Sequence, residues 1–224
     1  MSRVFNHLRR LTGNTSGVAL TELALTLPFV LMVGLWGVEL ANFTITNMRV
    51  SQLATHIADN ASRIGDTSTL EDRKIYESDI NDLLRGAHLQ AGAGMALFDK
   101  GRVIISSLEV DDDDNQYIHW QRCMGAKNWS SSYGDAGDRL PDGMGPTDRE
   151  VIAFDDEAVM FVEVAYDYQP IVSARFVGSP IVQSVSSFTV RADRDLSQIY
   201  QRNALSPAPI ANCSTFENSV SPAT

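Results

Sequence analysis

The sequence predicts an α+β fold: one long N-terminal helix, membrane-spanning over its first half, packed on an antiparallel β-sheet head. Three observations carry that reading. From Leu23 to Val38 no side chain ionises, and extended back to Val18 the apolar run reaches 21 residues. That is about the length needed to cross a ~30 Å hydrocarbon layer as a helix. Beyond it, Val50, Leu53, Ile57, Ala61 and Ile64 recur at spacings of three and four, the signature of a helix with one apolar stripe. Further on, Val103–Val110, Val159–Tyr168 and Ser184–Arg191 are rich in the residue types that suit strands.

Taken in order, residues 1–17 form a basic leader ending in the polar, helix-breaking run Thr12–Gly17. Residues 18–64 form the spanning and stalk helix, with Pro28 expected to kink or locally open it by removing a backbone hydrogen bond. His56 falls on its polar side and reads as a solvated helix residue. Gly65 stops it. Residues 65–224 form the head. Thr69-Leu70-Glu71-Asp72 has the spacing of a capping box, and Ile75, Ile80, Leu83, Leu84 and Ala87 give a second helix that Gly86 and the Ala91–Gly94 run bring to an end. The Val103–Val110 strand turns at Asp111–Asn115 and returns as Tyr117–Gln121. Met124–Glu150 reads as a long surface loop, Pro170–Pro180 as an apolar connection with a short helix, and the tail from Ala204 as loose except near Cys213.

Charge narrows the function classes. The net charge is −10, too acidic to assemble a basic face for nucleic acid. Three of the 18 basic residues, Arg3, Arg9 and Arg10, and none of the 28 acidic ones lie in residues 1–17. A basic segment before an apolar span and an acidic domain after it is the positive-inside arrangement, with the N-terminus cytoplasmic and the head exported. A secretory signal fits poorly, because the nearest small-x-small site puts Glu39 two residues before Ala41. An uncleaved signal anchor remains the competing reading.

Glu22 is the only carboxylate near the start of the apolar run, and an acid at membrane depth costs about 2–3 kcal/mol unless paired. Gly17-Val18-Ala19-Leu20-Thr21-Glu22 resembles the N-terminal segment of type IV pilins and pseudopilins, in which a basic leader ends at a small residue and Glu follows at the fifth mature position. The chain is most similar to the TadE-like minor pilins of the Flp, or Tad, pilus system. Weaker likenesses lie at Trp120-Gln121-Arg122-Cys123, Val164–Tyr168 and Phe188–Arg191. Glu22-Leu23 replaces the Glu-Tyr of the major subunit, and the length exceeds that subunit's several-fold, so the resemblance is to a minor subunit. It implies leader cleavage between Gly17 and Val18 by a prepilin peptidase, residence in the inner membrane with a periplasmic head, and assembly with other pilins through the pilus machinery. A single-pass periplasmic binding or sensor domain on an uncleaved anchor is the alternative.

Other chemistry is sparse. An exported head meets an oxidising compartment, so Cys123 and Cys213 are expected to pair, closing a loop worth roughly 4 kcal/mol on the chain-entropy model. Two unrelated thiols are the alternative. Asp111–Asp114 begins like a calcium loop but has Gln116 where glycine is required and no Glu at the twelfth position, so a solvated hairpin tip is expected. His7, His56, His88 and His119 are scattered, and no nucleophile motif, phosphate loop or dinucleotide fingerprint is present. The expectation is a structural protein, not an enzyme, with no cofactor, metal or small-molecule substrate.

Overall fold

The computed structural model describes residues 16–66 and 72–219. The chain divides into two compact units: residues up to Phe43 with Pro170–Gly178, and Thr44–Gln169 with Ser179–Thr224. Helix α1, Ser16–Ala61, is one uninterrupted element of 46 residues. It begins at Ser16, so Gly17 is helical and not part of a breaker, a difference that costs little where the first turn's amides have no intrahelical partner in any case. It also continues through Pro28. The remainder of the expected leader and the Thr69 capping box lie outside the described residues.

The second unit is an α+β layer pair. Strands β1 (Gly101–Val110), β2 (Gln116–Met124), β3 (Val159–Asp167) and β4 (Ile181–Thr189) form one antiparallel sheet in the order β2-β1-β3-β4. The apolar stripe of α1 packs on this layer through Val50, Leu53, Ala54, Ile57, Ala58 and Ala61, all buried. Helix α2, Glu77–Ala91, buries Ile80, Leu83, Leu84 and Ala87. It runs through Gly86, which was expected to end it; Gly86 is solvent-exposed, and four buried aliphatics outweigh the ~1 kcal/mol helix penalty of glycine. The helix ends at Ala91 because Gly92 takes φ 75°. The Asp79 carboxylate accepts from the Tyr76 amide at 3.3 Å at its start. A single turn, α3 (Leu97–Lys100), leads into β1, and α4 (Ala174–Val177) is the short helix expected between β3 and β4.

β1 and β2 are longer than the sequence suggested, whereas β3 stops at Asp167 and β4 starts earlier, at Ile181, and ends at Thr189, short of Arg191. β2 extends to Met124 because Cys123 and Met124 pair with Ile104 and Val103. A register shift between Ser107 and Leu108 leaves His119 unopposed on β2. β1 is buried over Gly101–Glu109, covered on both faces. One cover is the loop expected to lie on the surface. Met144 and Ala153 pack on Leu108, Ile118, Val159 and Phe161, and Tyr133 meets the Phe161 ring edge-on at 5.2 Å between centroids. Gln116 clamps this loop by exchanging two 2.8 Å hydrogen bonds with the Ala153 backbone.

The tail is likewise tied down. A disulfide joins Cys123 to Cys213, with Cα atoms 4.7 Å apart. The Cys123 and Gly125 amides donate to Ala211 and Glu217, each at 2.8 Å, so the tail covers the β2 edge. Gly125 lets the residue after β2 lie close against the start of β1: a Cβ there would lie 2.2 Å from the Gly101 oxygen. Arg102, 1% exposed, donates to the carbonyls of Gly125 and Thr215 at 3.0 Å and of Cys213 at 2.6 Å, and lies 4.3 Å from the Phe216 ring centre. Burial lowers its pKa from the ordinary arginine value. Replacing Arg102 by Met keeps the volume but strands three carbonyls, so Arg102→Met should cost about 2–4 kcal/mol in urea unfolding with the disulfide intact. It should also open the tail to protease at Ala204–Pro209; an unchanged midpoint and cleavage rate would refute this role.

Candidate functional site

The feature with no structural explanation inside the chain is the first part of α1. An 18-residue window of it has mean hydropathy 2.0 and none of it is buried. Leu20, Leu25, Phe29 and Val33 are each 66–72% exposed, and Leu23, Leu31, Met32 and Trp36 are exposed as well. These positions run all round the helix, so no single partner stripe accounts for them. Val18–Val38 as α-helix spans about 31 Å, matching a bilayer's hydrocarbon thickness. Its hydroxyls are satisfied within the helix: Thr21 Oγ1 donates to the Val18 carbonyl at 2.8 Å and Thr26 Oγ1 to the Glu22 carbonyl at 2.9 Å. The helix is thus a candidate single membrane span.

Two carboxylates bracket the span and are treated differently. Glu22 lies in the second turn on an exposed stretch, and among the described residues no group hydrogen-bonds its carboxylate. Glu39, one residue beyond Val38, is fully buried and accepts from the Val172 amide at 2.7 Å and the Ser173 amide at 3.3 Å. Sequence reasoning noticed Glu39 only as a misfit in a cleavage site. Its only signal there was position, an acid immediately after an ionisable-free run.

Gly17, Val18 and Glu22 fall together in the first two turns of α1, all exposed, and Pro28 lies further along the same exposed stretch. A Cβ added to Gly17 would meet nothing within 4 Å, so packing inside the chain does not require glycine there. The Cys123–Cys213 disulfide belongs to the other unit. Beside it is a surface groove of about 500–600 Å³ lined in part by His119, Trp120, Arg122 and Asn212. Asp111 closes the hairpin tip by accepting from the Asp113 and Asn115 amides and pairs with Arg139 at 2.9 Å, which leaves its carboxylate committed. Among the described residues no group of three or more His, Cys, Asp or Glu side chains is placed to hold a metal.

One polar cluster in the head was missed from sequence. The Glu109 carboxylate, 3% exposed, accepts from Ser107 Oγ at 2.5 Å and pairs with His119 Nδ1 at 2.8 Å. The serine therefore meets the acid and not the imidazole, the reverse of the order that activates a nucleophile. The bond to Glu109 raises the His119 pKa above 6.5 against an opposing effect of burial. The same acid's field favours the charged form of Arg194, whose pKa burial pulls down to about 10. Because the folded value of His119 exceeds the unfolded one, the pair's stabilisation is complete below about pH 6.5 and is lost as pH rises through the folded value. An NMR titration of His119 should give a midpoint above 6.5, moving back toward 6.5 in Glu109→Gln. A wild-type midpoint at or below 6.5 would show the pairing to be absent in solution.

No family model, no curated protein and no solved structure matches this chain.

Proposed function

We propose that this chain is a membrane-anchored minor pilin or pseudopilin of the TadE-like type. The observation that carries the reading is an exposed apolar helix bearing, four residues after Val18, one acid that no group among the described residues hydrogen-bonds. In this reading a prepilin peptidase removes the basic leader after Gly17, and the subunit waits in the inner membrane with its head in the periplasm. The assembly machinery then draws it into a pilus, or into the complex that starts one, for surface attachment. The free space around Gly17 supports an external demand for a small residue, such as a peptidase site. Cleavage creates a charged amine on Val18, about 6 Å along the axis from Glu22. In a staggered bundle the Glu22 of one subunit reaches the amine of the next. Each charge alone is costly in hydrocarbon, so the pair acts chiefly by penalising out-of-register neighbours.

Intact mass of the cellular protein should place the N-terminus at Val18, and a bulky residue at Gly17 should leave the precursor whole. A wild-type N-terminus at Met1 in cells possessing the peptidase would instead favour an anchored periplasmic binding or sensor domain.

Glu22→Ala should still insert and be cleaved, yet enter filaments roughly 100-fold less, matching about 2–3 kcal/mol for a stranded amine. Cross-linking to neighbouring pilins reads this directly, and wild-type cross-linking in the variant would make the acid a bystander.

A further inference from the structure

The first compact unit contains a second apolar element besides the helix, the segment Pro170–Gly178. Glu39 ties it to α1 through the Val172 and Ser173 amides, one residue past the last apolar position of the span. The segment is therefore held at the level where a 31 Å helix emerges from a ~30 Å hydrocarbon layer.

Its composition suits that level. Ile171 is 63% exposed, Val172, Phe176 and Val177 are half-buried, and Arg175 is exposed. In a chain with 28 acidic residues, none lies between Asp167 and Asp193, so nothing in this stretch repels a negatively charged surface. The backbone is also prepared for a poorly hydrated setting. Besides the two amides on Glu39, Arg175 N donates to Ser173 Oγ at 3.2 Å, Phe176 N to the Ser173 carbonyl at 3.1 Å, and Gly178 N to the Ala174 carbonyl at 2.7 Å. With five of its eight amides paired within the protein, the segment approaches lipid at a lower cost than open backbone would. An exposed isoleucine, a neighbouring aromatic and one arginine are what an interfacial segment needs, with the cation reaching back to lipid phosphates.

We propose that Pro170–Gly178 is a second membrane contact. In it Ile171 and Phe176 enter the acyl boundary of the leaflet on the head's side, and Arg175 binds anionic headgroup phosphates. The proposal rests on α1 being a membrane span. It predicts that the head is held against the bilayer by two attachments before assembly.

The test uses the full chain in vesicles of phosphatidylethanolamine and phosphatidylglycerol, with a fluorescent amino acid placed at one of three positions and spin-labelled lipids as quenchers. A probe at Val30 reports the span, and one at Leu205, 98% exposed, reports water. At Ile171, shallow-label quenching should exceed that at Leu205 by at least threefold, falling at least twofold in Arg175→Glu or when phosphatidylglycerol is omitted. A quenched Val30 probe with Ile171 no better quenched than Leu205 would overturn the loop contact and leave the span intact. An unquenched Val30 would remove the span itself. If Ile171 gains cross-links to a second copy of the chain as quenching is lost, the surface binds protein and the lipid assignment fails.

Discussion

An α-helix that exposes leucine, valine and phenylalanine around its whole circumference cannot remain so in water, and most other features of the chain can be understood from that constraint. At about 25 cal/mol for each Å² of apolar surface, leaving a span of this size in water is a large unfavourable term for the isolated chain. None of the described residues covers it from Val18 to Val38. What the chain does control is the placing of charge at its ends. At one end no group among the described residues hydrogen-bonds the Glu22 carboxylate; at the other Glu39 is enclosed and given two backbone donors. The first is a group available to another molecule. The second is already spent on holding a loop.

The head solves a different problem, how to keep several buried charges in a small sheet protein without stranding them. Arg122 makes a forked contact with the Glu77 carboxylate at the start of α2, where the helix dipole also favours an acid. Arg194 donates to the Ala61 and Ile64 carbonyls, answering orphan acceptors at the C-terminal end of α1. Glu163 accepts from Ser131 Oγ and, at 2.9 Å, from the Ser132 amide, although burial still holds its pKa above the usual carboxylate range. Each of these contacts joins segments far apart in sequence. The polar interior thus fixes which loop lies on which face, a specificity that apolar packing alone would leave open.

The sequence was most informative where a single period ran long enough to stand alone. The apolar run, the stripe from Val50 to Ile64, the three principal strands and the Asp111–Asn115 turn were visible because each obeys a local rule, although the helix ends at Ala61, before Ile64 and Gly65. Gly86 misled because burial of its neighbours, a tertiary effect, overrode local propensity. Met124–Glu150 looked like surface because its core contacts are few and irregularly spaced, with Met144 and Tyr133 among them. The roles of Arg102, Glu39 and Glu109 were illegible for a further reason. A buried charge is recognisable only by its partners, and those partners lie 133 residues away for Glu39 and at Cys213 and Thr215 for Arg102.

The clamp on the tail has a consequence for timing. β1 holds Arg102, but its acceptors at Cys213 and Thr215 are made 111 and 113 residues after it, as are, close by, the amide partners at Ala211 and Glu217 that close the β2 edge. Until they arrive, the guanidinium lacks two of its three carbonyls and one sheet edge is open to pairing with any passing strand. Helices α1 and α2 can form from neighbours in sequence, whereas the sheet must pair strands as far apart as Gly101 and Tyr166, and Arg102 waits for acceptors 111 and 113 residues on. Completion of the head therefore waits until residues 211–217 have been made, and the interval before that is when the chain is most exposed to association with its own kind.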